Sequence, residues 1–201
     1  MVCLMGFEPY VEFRTSASKI PLKTQIGDEI IIQIVPGSSF GAGHQTTRLC
    51  VAAIEEIFKT EDIGNVLDFG CGSGVLGISA AVLGAKSVLA IDIDPIAVEE
   101  SIRNAEINHV SSVVKVLYGS LEDARGKFDL VLANIVTDEL LRTVEGIKRL
   151  LDERGMVVVS GISEIKRELA IRGFIEAGFS LKKEFTAGGW AAIWFNLRNS
   201  T

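Results

Sequence analysis

The stretch Val66–Gly77, VLDFGCGSGVLG, places three alternating glycines directly after an apolar run that carries one acid. The run Asn65–Phe69 is typical of a buried strand, and apolar residues resume at Val75 with a helical pattern. Because glycine has no Cβ, such residues allow a sharp turn and let a ligand approach the backbone amides closely. The stretch therefore predicts a strand, a ligand-binding loop and a helix, in that order.

Strand and helix patterns alternate along most of the chain. Strands are predicted at Asn65–Phe69, Ser87–Ile91, Val113–Tyr118, Asp129–Ala133 and Gly155–Ser160, and helices at Val75–Leu83, Pro95–Asn108, Asp138–Leu151 and Glu164–Ala177. This alternation predicts a doubly wound α/β fold with a mostly parallel sheet. The last two predicted strands, Phe179–Thr186 and Trp190–Leu197, are joined by three residues, which allow only an antiparallel hairpin. A seven-stranded sheet is expected.

The first forty residues differ in pattern from the rest of the chain. Glu29–Val35 is rich in β-branched residues and is predicted to be a strand, whereas Lys19–Thr24 is polar. We interpret residues 1–40 as a short β-rich extension and residues 41–201 as the ligand-binding domain. A helix is predicted to start near Thr46 or Thr47, either of which is a suitable N-cap.

Composition restricts the class of protein. The chain has 201 residues, 48% of them hydrophobic, and a net charge of −6, which argues against binding to bare nucleic acid through bulk charge. The three cysteines are widely spaced and predict neither a disulfide framework nor a metal site. Since the sequence shows neither a signal peptide nor an apolar run of membrane-spanning length, a cytoplasmic protein without membrane association is expected.

Two carboxylates narrow the choice of ligand. Asp68 lies in the strand just before the glycine loop, where it would attract an ammonium group and oppose a pyrophosphate. Asp92 ends the next strand, where it can accept hydrogen bonds from ribose hydroxyls. Gly72–Gly77 also matches the GxGxxG pattern of nicotinamide dinucleotide enzymes. However, Asp68, the closing hairpin and the short chain favour S-adenosylmethionine, which has an ammonium group and a ribose but no phosphate.

Further motifs resemble a known family. They are Phe40-Gly-Ala-Gly-His44 with Thr46-Thr47, Ile91–Pro95, Ala133–Ile135, Val159–Ile162 and Gly189-Trp190. With the glycine loop, they resemble the PrmA family of class I methyltransferases, which methylates amino groups of the large-subunit ribosomal protein numbered eleven. The resemblance runs from about Ile30 to the end. It implies S-adenosylmethionine as cofactor and S-adenosylhomocysteine as product.

The chain departs from the family's pattern in two places. Gly43 and His44 are adjacent, whereas family members usually have one more residue between them. The family's separate N-terminal domain, which grips the ribosomal protein, is expected to be missing, with about forty residues in its place.

The resemblance also implies the residues of the site. Carried over by motif, the family's cofactor contacts fall on Thr47, Gly70, Asp92 and Asn134. From the glycine loop and the strand-ending acid, further cofactor contacts are expected at Asp68, Gly72, Gly74 and Ile93. Thr47 is expected in a loop that crosses the cofactor. Asn134 is expected beside the methyl group, where its amide positions the cofactor or an incoming amine. His44 is a candidate base, although a lone histidine in a glycine-rich loop more often orders that loop. Phe40 and Trp190 are candidate acceptor contacts.

Several acceptors stay open at this point. After Asn134 the sequence lacks the proline and aromatic residue on which a flipped base would stack, which favours a protein amine or a small molecule over a nucleic-acid base. The alternatives are a ribosomal or other translation protein, RNA, a small metabolite, or a non-catalytic cofactor-binding subunit. A basic surface near Asn134 would favour RNA, and an exposed apolar patch on the first forty residues would favour the subunit. Glu99, Glu100 and Arg103 are interpreted as a solvated helix face.

Overall fold

The computed structural model describes residues 17–23, 29–35, 37 and 43–198. The helices are α1 Gln45–Thr60, α2 Val75–Leu83, α3 Pro95–Ile107, α4 Thr137–Leu150 and α5 Arg167–Glu176. The strands are β1 Ser18–Lys23, β2 Glu29–Ile34, β3 Asn65–Phe69, β4 Ser87–Asp92, β5 Val114–Tyr118, β6 Phe128–Asn134, β7 Leu151–Ser163, β8 Phe179–Ala187 and β9 Trp190–Leu197. Two 3₁₀ turns cover Leu121–Asp123 and Glu164–Lys166.

The larger sheet has seven strands in the order β5-β4-β3-β6-β7-β9-β8. Its first five strands are parallel, and β9 pairs antiparallel with both β7 and β8. The predicted doubly wound fold and closing hairpin are therefore confirmed. From β3 the chain builds towards β5 and then returns to place β6 on the other side of β3, so the strand order reverses between β3 and β6. Ligands of such sheets bind at the carboxyl ends of the strands at this point.

Several element boundaries differ by one residue from those predicted, and two differ by more. β7 starts at Leu151 rather than Gly155, because Leu151 is buried and pairs with Phe128 ahead of a register shift in the ladder between β6 and β7. The predicted helix from Glu164 begins as a 3₁₀ turn and becomes α-helical only at Arg167.

The second sheet is an antiparallel pair of β1 and β2. β1 was not predicted, because Lys19–Thr24 is polar in sequence. Ile20 and Leu22 point inward, whereas Lys19, Pro21 and Lys23 are exposed, which is the alternation of a half-buried strand. Proline is tolerated here because β1 is an edge strand. Leu22, Ile32 and Ile34 of the hairpin are buried in the same core cluster as α1 and α2. The predicted domain boundary at residue 40 lies outside the described residues.

The start of α1 also differs from the prediction. The N-cap is His44, not Thr46 or Thr47, because His44 has an extended backbone and its Nδ1 atom accepts a hydrogen bond from the Thr46 amide at 3.3 Å. Both threonines lie inside the first helical turn and are buried. Asp94, in contrast, caps α3 from a side-chain oxygen, with proline at the first helical position.

Glu100 was predicted to be solvated and is instead 6% exposed, because α3 packs this edge against the segment that contains Gly37. Glu99 and Arg103 are exposed as predicted. Below the closing hairpin, the buried rings of Phe174, Phe179 and Phe195 pack together, with the centroids of Phe174 and Phe195 4.9 Å apart. Each buried ring contributes roughly 2 to 3 kcal/mol through removal from water.

Over the part of the chain that the structure describes, every helix is too short or too polar to cross a membrane.

Candidate cofactor and acceptor site

The glycine loop follows β3 at the point where the strand order reverses. Gly70 has a φ of +67°, and a Cβ there would lie 2.6 Å from Cγ2 of Ile135, which follows β6. Gly74 has a φ of +78° and starts α2, and a Cβ there would collide with Ser101 of α3. Any larger residue at either position would therefore strain the backbone and displace a neighbouring element. The packing around the loop therefore requires glycine at both positions.

Asp92 is fixed by two backbone amides at the end of β4. Its Oδ2 atom accepts a hydrogen bond from the Gly72 amide at 2.8 Å, and its Oδ1 atom accepts one from the Asp94 amide at 3.0 Å. Each carboxylate oxygen can accept a further bond. Asp92 therefore ties the glycine loop to β4, and it also lines the adjacent cleft, where both oxygens can receive ligand hydroxyls.

A cleft of about 530 Å³, called the cofactor cleft below, opens at these strand ends. It is lined by Phe69, Gly70, Gly72, Asp92, Ile93, Asp94, Ala97, Gly119, Ser120, Leu121, Glu122, Asn134, Ile135, Glu139 and Thr143. Four of these residues are acidic, and of the described residues along the cleft none is lysine or arginine. Such a lining disfavours a pyrophosphate and suits a ligand with positive charge.

Several residues of this lining were not foreseen from the sequence. Gly119–Glu122 follow β5, and the signal that could have found them is that parallel strands present their carboxyl ends at the same edge of a sheet. The Ser120 hydroxyl donates to Glu122 at 2.7 Å, which lowers the pKa of that carboxyl and keeps it ionised. Glu139 and Thr143 come from α4, which follows β6.

The predicted cofactor residues divide into two groups. Gly70, Gly72, Asp92, Ile93 and Asn134 line the cofactor cleft. Asp68 and Gly74 do not belong to this lining, and Thr47 lines a second cleft described below.

Asp68 is 1% exposed and accepts a hydrogen bond from the Gly77 amide of α2 at 2.8 Å. Burial raises the pKa of its carboxyl to about 7. In the structure Asp68 therefore joins β3 to α2 beneath the glycine loop.

Asn134 ends β6 and contacts α1. Its Nδ2 atom donates to the Thr47 hydroxyl at 3.3 Å. Thr47 thus reaches the site from the first turn of α1, and not from a loop as predicted. The Oδ1 atom of Asn134 is buried and accepts no hydrogen bond from any residue that the structure describes. A buried acceptor without a donor is costly, so this atom is a candidate contact for a ligand N–H or O–H.

A second cleft of about 590 Å³, called the acceptor cleft below, lies between β1 and α1. It is lined by Ser18, Lys19, Ile20, Pro21, Gly43, Thr47, Arg48, Val51, Ala52 and Glu55. Because Thr47 lines this cleft and binds Asn134, which lines the cofactor cleft, the pair of Thr47 and Asn134 lies between the two clefts.

His44 and Trp190 are brought together beside this pair. Their ring centroids are 5.2 Å apart in an edge-to-face arrangement. Since Nδ1 of His44 accepts from the Thr46 amide, the neutral ring carries its proton on Nε2. Phe40, the other candidate acceptor contact, lies outside the described residues.

The remaining reactive groups of the described residues carry no separate chemistry. Cys71 of the glycine loop is buried, which raises the pKa of its thiol well above the ordinary value and disfavours the thiolate. Among the described residues, no three His, Cys, Asp or Glu side chains are grouped so that they could hold a metal ion.

The fold and the site together define a class I methyltransferase domain: a seven-stranded doubly wound sheet that ends in an antiparallel hairpin, with a glycine loop and a strand-ending acid at the reversal of strand order. The family model described as "Ribosomal protein L11 methyltransferase (PrmA)" matches residues 15–198. The chain belongs to this family.

Relatives support the assignment. A ribosomal protein L11 methyltransferase of Anoxybacillus flavithermus is 41% identical over 168 residues, which cover 83% of this chain and 53% of that protein. One of Clostridium perfringens is 38% identical over 169 residues, with the same coverage of each chain. The chain thus spans about half the length of these curated relatives. The crystal structure of a ribosomal protein L11 methylase from Lactobacillus delbrueckii subsp. bulgaricus has a TM-score of 0.79 and is 33% identical, over 88% of this chain and 93% of that one.

Proposed function

We propose that the protein is an S-adenosylmethionine-dependent methyltransferase that methylates an amino group of a protein. The observation that carries this proposal is the buried Oδ1 atom of Asn134, which lacks a donor among the described residues and belongs to the pair that lies between the two clefts. An amine offers the N–H that this atom requires. The name of the family and of its relatives supports the same reaction.

The acidic lining of the cofactor cleft supports S-adenosylmethionine as the cofactor. Asp92 would accept the ribose hydroxyls, because both of its oxygens are already oriented by backbone amides. Gly70 and Gly72 would allow the methionine portion to approach the backbone, and Ile93 would contact the adenosine portion. The four acids favour the positive charges of the sulfonium and ammonium groups, whereas a dinucleotide would place its pyrophosphate in an acidic cleft.

The chain's own part in the reaction is to align the amine and to exclude water. When bound, the cofactor supplies a methyl group on a sulfonium: a nitrogen–carbon bond forms as the sulfur–carbon bond breaks, and the electron pair leaves with sulfur. Asn134 would accept one N–H of the amine through Oδ1 and thereby direct the nitrogen lone pair into the cofactor cleft. Thr47 would hold the amide in this orientation.

The surplus proton of the amine would pass to solvent. His44 is a poor candidate for the base, because its Nδ1 lone pair already accepts the Thr46 amide and its Nε2 atom carries the proton in the neutral ring. We assign His44 to capping α1 and to packing against Trp190, which would form a wall near the acceptor.

The acceptor cleft would admit a polypeptide segment that carries the amine. The relatives' name identifies ribosomal protein L11 as the first acceptor to test. The charges of the site do not decide between protein and RNA, because the acceptor cleft is lined by Lys19 and Arg48 beside Glu55, and the preference for a protein acceptor rests on the relatives' name. On the described hairpin the exposed large hydrophobic residues are Ile30 and Ile31. Pairs of Lys19 with Gln33 and of Lys23 with Glu29 flank Pro21 and Ile31, which argues against the extended apolar patch expected of a non-catalytic subunit.

The test is transfer of a labelled methyl group from S-adenosylmethionine to purified ribosomal protein L11. Label is expected in L11, and prior acetylation of its amino groups should abolish labelling. Ala52→Trp would place a large side chain in the acceptor cleft and is expected to raise KM for the protein acceptor about tenfold with an unchanged cofactor Kd. Lys59→Trp, exposed two turns further along α1, is the control. Labelling of RNA but not of protein would contradict the proposal.

A further inference from the structure

One face of α3 substitutes for a missing neighbour strand of β2. The Asn108 side chain accepts from the Gln33 amide at 2.8 Å and donates to the Gln33 carbonyl at 2.7 Å. The Asn104 side chain accepts from the Val35 amide at 3.0 Å. These backbone groups face away from β1 and would be unpaired at an ordinary sheet edge.

The rise per residue of α3 and of β2 explains why three successive contacts form between the helix and the strand. Four residues of helix rise about 6 Å, and two residues of strand rise about 6.6 Å. Asn108, Asn104 and Glu100 on α3 therefore lie in turn beside Gln33, Val35 and Gly37, where a Cβ at Gly37 would collide with the Glu100 carboxylate. We call these six residues the helix–strand clamp.

The middle member of the clamp also binds the glycine loop. The Nδ2 atom of Asn104 donates to the Ser73 carbonyl at 2.9 Å, and Asn104 is 0% exposed. Ser73 lies between Gly72, whose amide is bound by Asp92, and Gly74, which starts α2. One buried side chain therefore joins the end of β2 to the centre of the loop on which the cofactor would rest.

The hydrogen bonds of Asn104 to Ser73 and Val35 are costly to break because the side chain is buried. Both functional groups of the Asn104 amide are paired in the interior, and removal of the side chain would leave the Ser73 carbonyl and the Val35 amide without these partners. Asn108 holds β2 through a more exposed pair of bonds, and its side chain also donates to the Asn104 backbone carbonyl at 2.7 Å. Of the described residues, those that bind the Asn108 side chain lie outside the glycine loop.

We propose that Asn104 is a positioning residue of the cofactor site. It holds the Ser73 carbonyl, and with it the course of the glycine loop between Gly72, whose amide is bound by Asp92, and Gly74, whose amide is bound by the Cys71 carbonyl at 2.8 Å, and it links this loop geometry to the end of β2. The inference rests on the proposed function, since it concerns the same cleft. It adds that the β1–β2 hairpin, although it lines none of the described part of the cofactor cleft, affects the affinity for the cofactor.

The experiment compares Asn104→Ala with Asn108→Ala in the full chain. Titration calorimetry with S-adenosylhomocysteine gives Kd, and thermal unfolding gives Tm. Both variants are expected to lower Tm, because both weaken the clamp. Only Asn104→Ala is expected to weaken binding, about tenfold, and to speed hydrogen exchange at the Gly72 and Gly74 amides. Equal Kd values for the two variants would overturn the inference.

Two further measurements cover the case in which Asn104→Ala does not fold. Asn104→Asp can still accept from the Val35 amide but, when ionised, cannot donate to Ser73, and it should weaken binding as Asn104→Ala does. In the wild type, S-adenosylhomocysteine should slow exchange of the Val35 amide but not of the Lys23 amide, which binds Glu55 instead. An unchanged Val35 rate would overturn the inference. If the wild type bound no cofactor, the proposed function would fail first, which distinguishes the two failures.

Discussion

The two clefts on either side of the pair of Asn134 and Thr47 are held in shape by different kinds of contact. The cofactor cleft is formed by strand ends of one parallel sheet and fixed by short bonds between a carboxylate and backbone amides, as at Asp92. The acceptor cleft is formed between β1 and α1, and side chains from distant parts of the chain join it to the site, as in the contact of Thr47 with Asn134. Cofactor binding and acceptor binding should therefore respond separately to mutation.

The largest effect is expected for Asn134→Ala, because Asn134 lines the cofactor cleft and is bound to Thr47, which lines the acceptor cleft. Loss of the amide removes the proposed acceptor of the amine N–H, and the rate of methyl transfer should fall by about 10²-fold or more. The Kd for S-adenosylmethionine should change by less than about threefold, since Asp92 and the glycine loop are untouched. Single-turnover transfer and calorimetry measure the two quantities. A parallel loss of both would show that the clefts are not separable at this residue.

The next largest effect is expected on the pH dependence of stability, through the buried carboxyl of Asp68. The pKa of the buried Asp68 is about 7 in the folded protein, above its ordinary value of 3.8. Between these values the folded protein keeps a proton that the unfolded chain releases, so the free energy of unfolding should fall as pH rises from about 5 to about 7 and then level off. The expected loss is on the order of 2 kcal/mol.

Asp68→Asn should flatten this slope, because the substituted amide does not titrate. Urea unfolding at several pH values measures it, and Asp129→Asn is a matched control, since Asp129 also accepts backbone amides but lies at the amino ends of the strands. A slope that persists in Asp68→Asn would assign the titration to another group.

A smaller effect is expected for Thr47→Val, which keeps the shape of the side chain and removes its hydroxyl. Asn134 would lose the partner that orients its amide, and kcat should fall about tenfold while the cofactor Kd stays the same. Thr46→Val is the control: it lies in the same helical turn and is equally buried, but its hydroxyl contacts His44 instead. Equal losses in the two variants would indicate a general effect on α1.

The smallest effect is expected at the ion pair of Lys183 and Glu56, which joins β8 to α1 at 2.6 Å. Both side chains are partly exposed, so Lys183→Ala should lower the free energy of unfolding by less than about 1 kcal/mol. Cofactor affinity and transfer rate should be unchanged. A clear loss of transfer would mean that the position of α1, and with it Thr47, depends on this surface contact.

The cofactor cleft was largely predictable from sequence because its residues follow from a local rule. Gly70 and Asp92 each come directly after a strand pattern, and parallel strands present these ends at one edge. The same rule applied to β5 would have found Ser120 and Glu122.

The residues around the acceptor cleft could not be predicted from the rule that ligand-binding residues follow directly after parallel strands. The contact of Thr47 with Asn134 spans 87 positions, and the packing of His44 on Trp190 depends on how α1 meets the hairpin. β1 was missed because its exposed face is polar and contains Pro21, and the burial of Glu100 was missed because helical spacing alone does not show that a strand packs against that face. Such contacts depend on tertiary packing, which local patterns do not encode.

The most direct test of the central claim is calorimetric titration with S-adenosylmethionine and with a nicotinamide dinucleotide, for the wild type, Asp92→Ala and Asp129→Ala. Asp129 also binds two backbone amides through its carboxylate, at 2.9 and 2.7 Å, so its loss is comparable but far from the cleft. The expected result is micromolar binding of S-adenosylmethionine to the wild type and to Asp129→Ala, and about 10²-fold weaker binding to Asp92→Ala. Binding of the dinucleotide without binding of S-adenosylmethionine, or equal affinity in Asp92→Ala, would contradict it.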